Sequence, residues 1–196
     1  MSHLPLRAAA LPLLALLAQS TPSPASAGAE DIEEKAQVCA SCHGEAGTPV
    51  DKSYPLIWGQ HQGYLYLQLR DFKLGQRKNE IMNGIAQDMS REDMMGLAEY
   101  FSKKTWVNLN QPRASPEEAK RAETAITAGQ CSSCHGAEGL GDSTNPRIAG
   151  QRREYILKTL QDFRARTRTN NPWMSDITNT LAPEDLEALA SYMAGR

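Results

Sequence analysis

The chain has 196 residues, with 21 Lys and Arg against 23 Asp and Glu, a formal net charge of -2 and 40% hydrophobic residues. This balance offers no basic footprint for nucleic acid and is ordinary for a globular chain, not a disordered or collagen-like one. Three Phe, three Trp and six Tyr are few for one ordinary domain or two small ones, so a core built from protein alone would be thin.

The first residues read as an export leader. Arg7 supplies the positive charge, Ala8 to Ala18 is an apolar run interrupted by Pro12, and Ala25-Ser26-Ala27 is a small-residue cleavage site. The run is well short of the roughly 20 residues that span a bilayer. The first cysteine, Cys39, is too far from the cut to carry a lipid anchor. Removing residues 1–27 as a signal peptide places the mature chain, from Gly28, in the periplasm, where unpaired thiols are normally oxidised.

In chain order, Ala29 to Val38 reads as a helix leading into Cys39-Ala40-Ser41-Cys42-His43-Gly44, and a second helix follows Gln60. A loop-like stretch carrying Arg77 and Met82 precedes a third helix. Ser90 caps it, and Met94, Leu97, Ala98 and Phe101 fall at the i, i+3, i+4, i+7 spacing of one buried face. Residues 105–114, with Asn108, Asn110, Gln111 and Pro112, read as a linker. The same order then returns. Ser115-Pro116-Glu117-Glu118 is a capping box that opens a helix from Pro116 into Cys131, and a further helix follows Gln151. Another loop-like stretch holds Met174, and the last helix buries Leu186, Leu189, Ala190 and Met193. There Ala182 offers no capping oxygen and Pro183 sets the start. Nothing alternates like a strand, so the fold class is all-α.

The return is a sequence repeat. Cys39-x-x-Cys42-His43-Gly44 recurs as Cys131-x-x-Cys134-His135-Gly136, and Pro55 to Gln60 (PLIWGQ) recurs as Pro146 to Gln151 (PRIAGQ). Tyr64, Asp71, Phe72 and Arg77 match Tyr155, Asp162, Phe163 and Arg168, and Met82, Leu97 and Tyr100 match Met174, Leu189 and Tyr192. Register held across such different residue types marks two tandem copies of one domain, 28–104 and 115–196.

Each C-x-x-C-H is read as a c-type haem attachment signal: the two thiols bond the porphyrin's vinyl groups and the adjacent His reaches the iron. Three rivals explain less. A four-cysteine zinc site accounts for neither His nor the repeat, disulfides do not require a His after each pair, and a thioredoxin-like redox pair needs strands this chain lacks. Four cysteines in two signals imply two covalently attached haem c groups.

Histidine arithmetic limits the sixth ligand. With His43 and His135 on the iron and His3 in the leader, only His61 is left, so both irons cannot be bis-His. Met is the usual partner of His in c-type carriers. Among Met82, Met89, Met94, Met95, Met174 and Met193, only Met82 and Met174 match as Met to Met. They are the expected ligands, and His61, whose repeat partner is Arg152, reads as a surface residue. Pro55 and Pro146 are placed to offer a carbonyl to the imidazoles. Tyr64, Arg77, Tyr155 and Arg168 read as haem-propionate partners or as solvated surface.

With these motifs the chain resembles the dihaem class I cytochromes of the cytochrome c4 family, over essentially all of the mature sequence. The resemblance implies two cytochrome c-like domains across a pseudo-twofold interface. It also implies thioethers at Cys39, Cys42, Cys131 and Cys134, and axial pairs His43 with Met82 and His135 with Met174. The implied activity is periplasmic transport of single electrons, from a quinol-oxidising complex or dehydrogenase to a terminal oxidase or reductase. No nucleic acid is involved, and loose membrane association stays open. Two alternatives remain: the electron-transfer subunit of a larger enzyme, such as a flavocytochrome that oxidises sulfide, or a haem peroxidase with one open iron. The second copy departs in one place, where Leu74-Gly75-Gln76-Arg77 becomes Ala165-Arg166-Thr167-Arg168, which leaves the shape of its loop before Met174 in question.

Overall fold

Nine helices account for the regular structure of the described residues, 24–196, with side chains described from 31, in a computed structural model. The first copy holds α1 (Pro24–His43), α2 (Gln62–Lys73), α3 (Glu80–Ala86) and α4 (Arg91–Ser102). The second holds α5 (Pro116–Ala128), α6 (Ser132–His135), α7 (Arg153–Arg164), α8 (Pro172–Thr180) and α9 (Pro183–Ala194). No strand occurs among the described residues, only one isolated bridge between Asp142 and Asn145. Arg7 and the apolar run of the leader lie outside them, whereas Ala25-Ser26-Ala27 falls within α1.

The helices expected from periodicity are present, with three differences. α1 runs unbroken through Cys39-x-x-Cys42-His43, whereas its counterpart stops at Ala128 instead of reaching Cys131. Gly129 caps α5, Gln130 turns left-handed at φ 51°, and the attachment signal starts again as the one-turn α6. The stretches before Met82 and Met174 are not loops up to the next helix. Asn79 and Asn171 each accept the backbone N–H three residues on, from Met82 at 3.0 Å and Met174 at 3.3 Å, and so start α3 and α8. Short segments carry too little hydrophobic periodicity to be seen as helices, so the sequence signals were the asparagine caps and, in α8, Pro172 at the first helical position.

In the first copy α2 packs on α3 and α4, and α1 on α4. In the second, α5 packs on α9 and α7 on both α8 and α9. The apolar positions foreseen on the last helix of each copy are all buried. Ser90 and Asp93 form a full capping box on α4, whereas on α9 Asp185 alone returns to the Ala182 N–H, at 3.0 Å. Of the 20 buried hydrophobic residues among those whose side chains are described, nine are Ala, so the cores hold little side-chain volume for their helix count.

The copies face each other through contacts that obey the repeat. Gln151 accepts from Leu56 N–H at 2.8 Å and donates to Leu56 C=O at 3.0 Å. Gln60 does the same to Arg147, at 2.8 and 2.9 Å. His61 Nε2 donates to Leu140 C=O at 2.8 Å, and its counterpart Arg152 donates to Pro49 C=O at 2.9 Å. Each of these interactions has a mirror at the matching positions, so this part of the interface is pseudo-twofold. His61, read from sequence as a surface residue, is thus a part-exposed group that also bonds across the interface.

Candidate haem sites

The attachment signals are built on helix ends. In the first copy Gly44 turns the chain out of α1 at φ 91°, and a Cβ there would lie 2.0 Å from Thr48 O, so only glycine passes. The turn brings Pro55 back over His43, whose Nδ1–H donates to Pro55 C=O at 2.8 Å. His135 repeats this to Pro146 C=O at 3.0 Å. Burial lowers the pKa of both imidazoles, partly opposed by the accepting carbonyl. Each ring is thus neutral and held by Nδ1–H, with Nε2 free of any hydrogen bond within the described residues. That is the tautomer of an iron ligand.

None of the four cysteines is paired in a disulfide: Cys39, Cys42 and Cys131 are half-buried and Cys134 is exposed. Burial pushes the Cys39 thiol up to about 11 and that of Cys131 upward. No three His, Cys, Asp or Glu side chains converge on a metal-sized site among the described residues.

The methionines separate by environment. Met94 and Met193 are core residues of α4 and α9, Met95 is exposed, and Met89 packs half-buried against the core of α1 and α4. Met82 and Met174 are half-buried at the third position of α3 and α8, in matching places of the two copies. The altered loop keeps its shape: Gly75 has φ 69° and Arg166 φ 55°, and Arg77 N–H and Arg168 N–H bond to Asp71 O and Asp162 O at 3.0 and 3.1 Å.

The four polar repeat residues are not solvated surface. They meet at the interface as crossed pairs, Arg77 donating to Tyr155 Oη at 2.9 Å and Arg168 to Tyr64 Oη at 3.4 Å. Gln68 Oε1 accepts from Arg77, Arg168 and Asn170, and Asn170 also donates to the buried Asp71. Burial pushes the Tyr155 phenol up, but the charges of Arg77 and Arg168 outweigh it and bring the group down to about 7. Tyr64 is raised, by burial and then by Tyr155. Sequence reasoning missed Gln60, Gln151, Gln68 and Asn170. The first two stood in the repeated P-x-x-x-G-Q and carried a signal, whereas Gln68 and Asn170 have no counterpart and carried none.

The residues present fit haem c. Each copy has two unbridged thiols, a neutral imidazole with a free Nε2, a half-buried thioether, and a core short of apolar volume that a porphyrin would supply. Two covalently attached haems on one all-helical chain define a dihaem c-type cytochrome, a class of electron-transfer protein.

Residues 119–196 match the family described as Cytochrome c. Cytochrome c4 of Pseudomonas aeruginosa is 35% identical over 83% of this chain and 86% of its own length. A thiosulfate dehydrogenase electron acceptor of Stutzerimonas stutzeri is 30% identical over 98% of this chain and 94% of its own. The crystal structure of reduced recombinant cytochrome c4 from Pseudomonas stutzeri superposes with a TM-score of 0.75 at 33% identity, covering 85% of this chain and 97% of that one. The chain belongs to the cytochrome c4 family.

Proposed function

We propose that the chain is an exported single-electron shuttle whose first haem is held by Cys39, Cys42, His43 and Met82 and whose second is held by Cys131, Cys134, His135 and Met174. The observation that carries this reading is the duplicated His–carbonyl pair, each directly behind a pair of cysteines that form no disulfide. Bound haem supplies a one-electron Fe(III)/Fe(II) couple. The chain does the rest. The Pro55 and Pro146 carbonyls orient the imidazoles and raise their basicity. Met82 and Met174, set at the third positions of α3 and α8 by the Asn79 and Asn171 caps, would hold the iron through their thioethers together with His43 and His135. An iron so held by two protein ligands would have no open site for O2 or peroxide, which favours outer-sphere transfer over peroxidase chemistry. Domain limits at 28–104 and 115–196 and cleavage after Ala27 complete the reading. No helix among the described residues is long and apolar enough to cross a membrane. Partners would dock transiently, taking the donor and acceptor roles of a quinol-oxidising complex or dehydrogenase and a terminal oxidase or reductase.

A redox titration of the purified holoprotein followed by absorption tests this. Two low-spin haems, both showing the near-infrared sulfur-to-iron band, are expected. High-spin ferric iron in either domain overturns the His/Met assignment.

The Stutzerimonas relative favours a second reading, in which the chain accepts electrons from one enzyme that oxidises reduced sulfur compounds. Gentle purification from the native cell discriminates the two: a stoichiometric complex supports the subunit, and a free monomer supports the shuttle.

A further inference from the structure

The two copies differ where the segment 103–115 meets the second one. In the first copy Trp58 packs on Gly47, and Lys104 Nζ lies over the rings of Tyr100 and Trp58, 4.0 and 5.6 Å from their centroids. The matching residues of the second copy are Ala149 for Trp58, Arg196 for Lys104 and Arg147 for the fully buried Leu56. Where an indole fills the first copy, the second has a cleft of about 560 Å3 lined by Arg113, Glu138, Arg147, Ala149, Tyr192 and Arg196, among others. None of Cys131, Cys134, His135 and Met174 lines it. Pro146 accepts the His135 Nδ1–H, so the loop that carries Arg147 lies on the side of the imidazole turned away from Nε2.

The cleft's charges are unevenly used. Arg196 pairs with Glu138 at 3.0 Å and lies over Tyr192. Among the described residues, Arg113 and Arg147 meet no carboxylate within 4 Å, the terminal carboxylate of Arg196 included. Arg147 is held in one pose: its guanidinium lies 4.5 Å over the Trp106 ring and its Nε donates to Ala149 C=O at 3.2 Å. Stacking uses the face of the guanidinium and Nε uses one edge. The two Nη groups are left as a fixed fork, partly desolvated, with no acceptor. That is the arrangement in which arginine binds an oxyanion through two parallel hydrogen bonds.

We propose that this cleft is an anion site of the second domain, in which the Nη fork of Arg147 and the guanidinium of Arg113 take one small multivalent oxyanion of the phosphate or sulfate type. The first copy has no equivalent, because Trp58 and Leu56 occupy the place.

The test is a titration of the 15N-labelled, reduced holoprotein with inorganic phosphate, at ionic strength held constant with sodium chloride and followed by amide shifts. Saturable shifts confined to the residues around the cleft are expected. Arg147→Gln and Arg113→Gln should each weaken the apparent affinity about tenfold, and Arg147→Lys by less, since it keeps the charge and loses the fork. Arg166→Gln, which removes an arginine paired with Asp176 elsewhere on the same domain, should leave affinity unchanged. Shifts that do not saturate, or saturable binding that survives both glutamine variants, overturn the proposal. Arg113 is exposed, so its variant keeps the test decisive even if Arg147→Gln perturbs the loop.

Discussion

Single residues carry the coordination chemistry, and it is at this scale that Met82 and Met174 are tested. Met82→Ala and Met174→Ala should each remove half of the near-infrared sulfur-to-iron absorbance, since on the proposed assignment each methionine serves one iron. A full band in either variant shows that another side chain is the ligand. A second residue-scale effect belongs to Tyr155. Its phenol sits near 7 in the fold against about 10 in an unfolded chain, so between these values the unfolded state binds the extra proton and stability rises with pH. The contribution is present above pH 10 and is lost as pH falls through 7, while Tyr64, raised in the fold, acts oppositely above 10. Urea unfolding at a series of pH values should show this rise in the wild type and a flatter profile in Tyr155→Phe; equal slopes would refute it. The proposed haem residues stood out in sequence for two reasons: attachment chemistry fixes the C-x-x-C-H spacing, and the repeat matches Met82 to Met174. The Arg–Tyr pairs were legible only as conserved spacing between copies. A repeat shows that a residue has a counterpart, and only the fold shows that Arg77 meets the tyrosine of the other copy.

Elements were read well where periodicity or capping chemistry is strong, as at Ser90, Ser115 and the last helix of each copy. They were missed where local signals are short. α3 starts on an asparagine cap and α8 on an asparagine cap followed by Pro172, and α5 ends early at Gly129 although nothing in its apolar pattern changes. The turn after α7 shows how backbone geometry outlasts its usual residue. Glycine at position 75 adopts φ 69° without cost, whereas Arg166 holds φ 55° with a side chain that disfavours it. The exposed Arg166–Asp176 ion pair at 2.8 Å offsets little of this strain. Arg166→Gly should therefore stabilise the second domain by about 0.5 kcal/mol, with part of the relief lost to the extra freedom of glycine in the unfolded chain. Gly75→Ala should destabilise the first by about 1 kcal/mol or more. Calorimetry of the two variants checks both signs, and a destabilised Arg166→Gly would mean that the ion pair outweighs the backbone.

At the scale of the whole molecule two features were only half visible from sequence. The scarcity of aromatics pointed to thin cores, and nine alanines among the buried hydrophobic residues bear that out. If porphyrins supply the missing volume, a chain with all four cysteines changed to serine should be largely unfolded by circular dichroism, and a folded one would contradict this. The interface was foreseen only as a family trait, because reciprocal hydrogen bonds between repeat-related residues leave no trace in local patterning. Gln151 satisfies both backbone groups of Leu56, a residue with 1% exposure. Gln151→Ala would leave a buried N–H and C=O unpaired, at a cost of about 1–3 kcal/mol per group. Because Gln60 makes the mirror contact, losing both should cost more than the sum of the single changes if the two clamps act as one hinge. The double variant Gln60→Ala, Gln151→Ala should convert a single thermal transition into two, one per domain, with both haem spectra unchanged. Persistence of one cooperative transition would show that the Arg–Tyr pairs and Trp106 suffice to join the domains. In that case the glutamines set register between the copies without coupling their stability.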